Sequence, residues 1–454
     1  MTTLEELRTQ VAEGGVDEVV LALPDLSGRL QGTRVSARHF LDHVLQDGFG
    51  ACTYLLTTDV DLNVTAHTTE LDPGGTGYGD MVLVPDLTSM RPLPWDPGAA
   101  MVIADARHPG GPPVELAPRQ ALRTQVEALA ERDLVPFAGV ELELRVFTES
   151  YGQAASAGWS GLTPATRHGV DYALVGMERM DRLTRRLRRE MSEAGLQMES
   201  ARGECAPGQY EIVFRYDEAM RAADQAAFYK TGAKQVAAQE GMAVTFMPKY
   251  DAAEGNSCHV HLSLRDGSGE PVFVGDGAPG RPDLAGTSAV LRRVLAGQLA
   301  CLRELTLLFA PTVNAYKRLR PGAFAPTTVT WGRDNRLAAV RLVGSGASLR
   351  LEHRVPGGDA DPHLVLAGLL LAARHGLEAD LSPPQATVGA PAADVARLPA
   401  SLGEAAELLD GSEVARKGLG DAMVDALVSS ARAEVAAHAV EVTEWERARG
   451  FERR

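Results

Sequence analysis

Five short segments gather the side chains best suited to hold cations and anions. In VPFAGVELELRVF, Glu141, Glu143 and Arg145 alternate with Leu142, Leu144 and Val146, so on a strand the two carboxylates share one face. In GECAPGQYEI, Glu204 and Glu211 flank a Pro-Gly pair, a turn that would aim both carboxylates at one point. In GNSCHVHLSL, His259, His261 and Ser263 fall on one strand face, a spacing at which two histidines can ligate a metal. In SLRLEHRVP, Arg350, Glu352 and Arg354 alternate in the same way. Between Asn314 and Arg341 there is an arginine-dense stretch with Lys317, Arg318, Arg320, Arg333, Arg336 and Arg341.

Each segment alone also fits an ordinary role. The glutamates fit a solvated strand face, the Pro-Gly pair a polar turn, the histidines a satisfied structural pair and Arg-Glu-Arg an ion-pair ladder. Together they supply five carboxylates and one histidine. Oxygen-rich ligation favours Mg²⁺ or Mn²⁺ over structural Zn²⁺. Such ions beside arginines suit phosphoryl transfer, where the charge of the migrating group must be neutralised. No Walker A loop occurs in the chain, so phosphate handling would fall to side chains and metals.

The 454 residues carry 45 Lys and Arg against 60 Asp and Glu, a formal charge of −15. That balance opposes nucleic-acid binding and a polybasic membrane patch. Apolar residues are 45% and charged residues 23%, a globular composition that excludes dominant disorder. Cys52, Cys205, Cys258 and Cys301 are scattered without a CxxC pair, which predicts a reduced, cytoplasmic protein. The polar start MTTLEELRTQ predicts no secretory signal. The longest apolar run, at residues 364–373, is too short to cross a bilayer.

Elements that must position these segments follow from periodicity. An amphipathic helix is predicted at 4–13, strands at 17–23 and 29–35, and a helix at 37–46. Proline and glycine then cluster between residues 85 and 118, which predicts a boundary between a small module (1–110) and a larger domain (111–454). Helices are predicted at 118–132, 170–193, 217–240, 284–309 and 362–375, with a helical tail over 401–447. Strands are predicted at 136–147, 209–215, 244–247, 257–265, 329–331, 338–342 and 349–355. Strands and helices without strict βαβ order predict an α+β fold.

The order of motifs is itself distinctive. GVELE, E-x-APGQ-x-E, TFMPK, G-x-S-x-H-x-H-x-SL, N-x-YKRL-x-PG, NR-x-A-x-x-R and E-x-R-x-P run from about residue 139 to 356. In that order they resemble the glutamine synthetase superfamily. The resemblance implies a β-grasp-like N-terminal domain and a catalytic domain whose curved antiparallel sheet is surrounded by helices. It implies that Glu143, Glu204 and Glu211 hold one metal and that Glu141, His259 and Glu352 hold a second, with two or three Mg²⁺ or Mn²⁺ per site. Arg318, Gly255 and Arg354, beside Glu143, would bind L-glutamate. Arg336 and Arg341 would face the phosphates of ATP, the co-substrate, with Tyr216, His261, Ser263 and Arg350 around the nucleotide. Arg336, Arg354 and Glu352 would be catalytic. The implied reaction is ATP-dependent ligation of the glutamate γ-carboxylate to an amine through γ-glutamyl phosphate. The resemblance also implies a homo-oligomer, a dodecamer of two hexameric rings, in which residues 49–72 reach a neighbouring subunit's site.

Departures from the family pattern bear on the amine. Gly50, in the stretch Phe49 to Thr53, stands in the place of an ammonium-binding Asp, and Phe324 stands in the place of a Glu in PGAFAP. Gly50, Thr53 and Phe324 are therefore expected to form a pocket for an amine larger than ammonia. The N-terminal stretch VVLALPDLSGRLQG, with GYGD before MVLVPD, is most similar to the members that use ethanolamine; polyamines and ammonium are the alternatives. Asp59, Asp61, Glu70 and Asp72 lie near enough to restore acidity. Ala347 replaces a nucleotide-contacting lysine, and the tail lacks the N-L-Y segment adenylylated in some members. A silent homologue would have lost metal ligands, and none is lost. A metal-dependent hydrolase would leave the arginines without a role.

Overall fold

The computed structural model describes residues 3–65 and 77–453. Glu70 and Asp72, expected to lend acidity to the amine pocket, lie outside the described residues. Two sheets organise the chain. The first contains β1 (Glu18–Pro24), β2 (Leu30–Ser36), β3 (Phe49–Cys52), β4 (Asp80–Pro85), β5 (Arg91–Pro92) and β6 (Ala99–Arg107), in the order β2-β1-β6-β4-β3 with β5 on β6. The strands β3, β4 and β6 were not anticipated. β6 carries a near-continuous apolar run, Ala-Ala-Met-Val-Ile-Ala, buried on both faces, and such a run has no alternation to reveal it. The expected helix at 37–46 forms, with a π-helical turn at Phe40–Val44.

The second sheet is built on β7 (Leu134–Phe147). Around it lie β8 (Met198–Gly203), β9 (Gln209–Phe214), β10 (Asp217–Glu218), β11 (Ala243–Thr245), β12 (Cys258–Asp266), β13 (Trp331–Arg333), β14 (Val340–Val343) and β15 (Arg350–His353). The order is β13-β14-β15-β12-β7-β9-β8, with β10 and β11 on β7. All pairings are antiparallel except β13 with β14. Helices Pro118–Ala130, Ala219–Gln239, Ala289–Cys301 and Pro362–Glu378 supply much of the core beside this sheet. The helix Pro362–Glu378 starts with an Asp361 cap and Pro at its first position, the preferred N-terminal arrangement. Its Leu and Ala residues are buried nearly all round, as the apolar run requires.

Two predicted helices are corrected. The helix expected from residue 170 begins at Asp181, after a short 3₁₀ turn. Tyr172 and Gly176 have left-handed φ of 54° and 104°, and Val170 N donates to Glu204 O (3.1 Å), so this stretch is a loop tied to the cleft. The helix expected over 284–309 divides into Ala289–Cys301 and Thr306–Phe309.

Buried charges join the two sheets' surroundings. Arg119 donates to Asp224 (2.9 Å), Asp105 (2.5 Å) and Asp86 (2.7 Å), while His363 pairs with Asp224 at 2.9 Å. Burial works against the His363 cation, but Asp224 and Asp361 outweigh it and raise its pKa to about 9.

Candidate active site

Cross-strand register assembles the site. β7 runs antiparallel to β12 with Glu141 opposite His259, and to β9 with Glu143 opposite Glu211. β12 and β15 set His261 opposite Glu352, and β14 sets Arg341 opposite Glu352. Because directly paired residues project on the same side of a sheet, the four registers collect these groups on one face. The Pro-Gly turn does what its sequence suggests. Gly208 has φ of 69°, and a Cβ there would lie 2.6 Å from Val146 O, so only glycine fits. The turn brings Glu204 and Glu211 together with Glu143, their ligand atoms within 4.8 Å of one another.

The cleft has two compartments that share Glu141, His261 and Arg350. The first, about 500 Å³, is lined by the expected metal-ligating carboxylates and His259, together with Gly255, Arg318, Phe324, Arg336, Arg341 and Arg354. The second, about 450 Å³, is lined by Tyr216, Ser263, Arg265, Phe137 and Ala347 among others. Gly50 and Thr53 line neither compartment of their own chain, so the three expected amine-pocket residues do not meet within one chain. The reason is topological: among the described residues β3 ends the first sheet, paired to β4 alone.

The carboxylates divide into two electrostatic groups. Burial opposes ionisation of Glu141, but His259 at 3.7 Å and the hydrogen bond from His261 (2.9 Å) outweigh it and hold its pKa well below the ordinary range. Burial likewise opposes Glu352, and His259, Arg354 and Arg341 (2.8 Å) outweigh it and hold its pKa low. In contrast, burial and the Glu143 charge raise Glu204 to about 7. Burial and Glu141 raise Glu211, which is 1% exposed, to about 9. Arg202 pairs with Glu204 at 3.1 Å and also with Glu211, too little charge for three clustered carboxylates. Glu143 accepts from Ser257 N (2.8 Å) and Gln209 Nε2 (2.9 Å). Glu143, Glu204 and Glu211 thus fit a divalent cation, which would relieve their mutual repulsion. Glu141, Glu211 and His259, and Glu141, His261 and Glu352, form two further sets within the same span.

Arg318 and Arg354 are buried and each leaves Nε without a partner, donors suited to an anionic ligand. Arg350 Nε donates to His261 Nδ1 at 3.0 Å, fixing that ring against Glu141. Arg145 leaves the expected row: it is buried against Phe147 and Tyr250 and pairs with Asp251 at 3.1 Å. Sequence reasoning missed Arg202, Gln209 and Glu254. Arg202-x-Glu204 and Gln209-x-Glu211 carry the same i, i+2 signal that found the other ligands.

A sequence model described as glutamine synthetase, catalytic domain, matches residues 115–449. The chain belongs to the glutamine synthetase family. It is 50% identical over 99% of its length to a γ-glutamylethanolamide synthetase of Streptomyces coelicolor, covering 96% of that protein. It is 34% identical to a glutamate–isopropylamine ligase of a Pseudomonas species, over 90% of each chain. Its fold superposes on a solved GmaS–ADP complex with a TM-score of 0.85, at 30% identity and covering 100% of both chains. Mixed helices and strands around a curled half-barrel sheet are the architecture of this family. No helix among the described residues is long and apolar enough to cross a membrane.

Proposed function

We propose that this protein ligates the γ-carboxylate of L-glutamate to ethanolamine with ATP as co-substrate. The observation that carries the amine is the 50% identity, over nearly the whole chain, to a γ-glutamylethanolamide synthetase. The geometry supports the chemistry: six metal-ligating groups and six arginines line one compartment. Divalent cations held by Glu141, Glu143, Glu204, Glu211, His259 and Glu352 would supply the positive charge that phosphoryl transfer needs.

The chain's own side chains do the rest. Arg318 and Arg354, with Gly255 leaving room beside Arg318, orient glutamate so that a γ-carboxylate oxygen faces the terminal phosphorus. Arg336 and Arg341 lie along the phosphates, and Tyr216, His261, Ser263 and Arg350 hold the nucleotide in the second compartment. The oxygen forms a P–O bond as the bond to ADP breaks. The ammonium gives up one proton to free its lone pair, the neutral nitrogen attacks the acyl carbon, the C–O bond to phosphate breaks, and the nitrogen loses a second proton. Phe324, 72% exposed at the mouth of the first compartment, supplies an apolar wall for a carbon-bearing amine. In an oligomer, Gly50, exposed on its own chain, would complete a neighbouring subunit's pocket, whereas Thr53 is buried in its own chain; the reading includes a dodecamer of two rings, a cytoplasmic location and a boundary near residue 110.

Phosphate release with ATP, Mg²⁺ and glutamate, read against ethanolamine, putrescine, spermidine, spermine and ammonium with product masses, tests this reading. Turnover with ethanolamine and little with ammonium is expected. Preference for a polyamine would replace the amine assignment, and preference for ammonium would overturn the Gly50 and Phe324 arguments.

A further inference from the structure

We propose that Glu254 anchors the primary ammonium group of the acceptor amine. Among the carboxylates lining the first compartment, Glu254 alone belongs to no cation-holding cluster and makes no ion pair among the described residues. Each of the others falls in a group that could hold a cation, Asp171 only at the exposed rim with Glu204 and Cys205. Its Oε2 lies 3.5 Å from the backbone N of Phe324, so it sits where Phe324 lines the compartment.

The loop that carries Glu254 is held on both sides. Before it, Lys249 Nζ donates to Ala253 O at 2.6 Å, and Ala253 N donates to Asp251 Oδ1 at 2.8 Å. After it, Asn256 N donates to Pro248 O at 2.9 Å, and Asn256 Nδ2 donates to Met247 O at 3.0 Å. At Gly255 a Cβ would lie 2.1 Å from Pro248 O. A carboxylate fixed in this way, half-buried and without a countercharge, is ready to accept N–H bonds from a cation without paying for its own ordering. Phe324, lining the same compartment, would offer apolar contact for the short carbon chain of an alkylamine, and an aromatic ring tolerates a cation over its face. The acidity lost at positions 50 and 324 is thereby restored from a different loop, matched to a larger amine.

This inference rests on the ligase reading, and the test separates the two. Steady-state kinetics of wild type and Glu254→Gln would be measured with ethanolamine and with hydroxylamine, which is uncharged at neutral pH. Loss of a charge-assisted hydrogen bond should raise KM for ethanolamine by roughly tenfold to a hundredfold. KM for hydroxylamine should change much less, and KM for glutamate should stay close to wild type. The hydroxylamine reaction also reports folding, and Glu254→Asp should recover part of the ethanolamine affinity. An unchanged ethanolamine KM, an equal rise for both amines, or a rise confined to glutamate would overturn the assignment; the last would give Glu254 to the glutamate α-ammonium instead. Wild type that forms neither product would instead overturn the ligase reading, and this proposal with it.

Discussion

The two compartments of the cleft meet at Glu141, His261 and Arg350, yet they are built on opposite electrostatic plans. The first crowds carboxylates onto one sheet face, and two of them, Glu204 and Glu211, hold protons into or beyond the neutral range because burial and like charge disfavour ionisation. The second is walled in part by Phe137, Tyr216 and Leu349, and its charges balance, Glu141 and Glu199 against Arg265 and Arg350. Crowded charge has one low-energy resolution, a cation at a fixed point, so each ligand in the first compartment constrains the others. An apolar wall with scattered polar contacts has many near-equivalent solutions. No metal ligand is lost from the crowded face; the departures that the family resemblance implies, Phe324 for a Glu in the first compartment and Ala347 for a lysine in the second, both fall among residues outside the ligand set.

The sharpest way to break this contrast is to remove two ligands of the crowded face together. Glu141→Ala with Glu352→Ala should lower turnover by at least about a thousandfold, with a circular-dichroism spectrum like wild type. Retained phosphate release would end the metal assignment. A smaller effect comes from pH. Glu204 and Glu211 have native pKa values of about 7 and about 9, against an ordinary 4.5. Both are raised, so their contribution to stability is complete at low pH and is lost as pH rises from about 5 to 9. Thermal midpoints in EDTA should therefore fall across that window. Added Mg²⁺ displaces those protons, so the midpoint gained on adding it should grow with pH. A gain that is flat with pH would mean the cation binds elsewhere.

The same contrast explains what could be read from the sequence. Alternation on β7, β12 and β15 marked Glu141, Glu143, His259, His261 and Glu352 because one face is the site and the other is core. For the isolated Glu-Leu-Glu segment, a solvated face was the ordinary expectation. Tertiary pairing with β9 and β12 buries it instead, information held in partner strands more than sixty residues away. β6 was missed because burial on both faces erases periodicity. Tyr172 and its loop were read as helix because local propensity gives no sign of the bond from Val170 N to Glu204 O. Glu254 carries no periodic signal at all. Its meaning lies in the loop that holds it and in Phe324, which approaches from residue 324.

The smallest expected effect probes the permissive compartment. Ala347 is exposed on the 3₁₀ turn Gly346–Ser348 and lines the second compartment beside Arg350. Ala347→Lys would add a flexible cation at that rim without disturbing the crowded face. A half-exposed charge gains modest energy in water, so KM for ATP should fall by roughly two- to fivefold while kcat and the amine KM hold. A rise in KM for ATP would mean that the nucleotide already fills the space Ala347 leaves, and that this wall is as tightly specified as the carboxylate face opposite. A fall in kcat would mean that the two compartments are coupled through Arg350 and His261. The contrast would then be one of composition and not of independence.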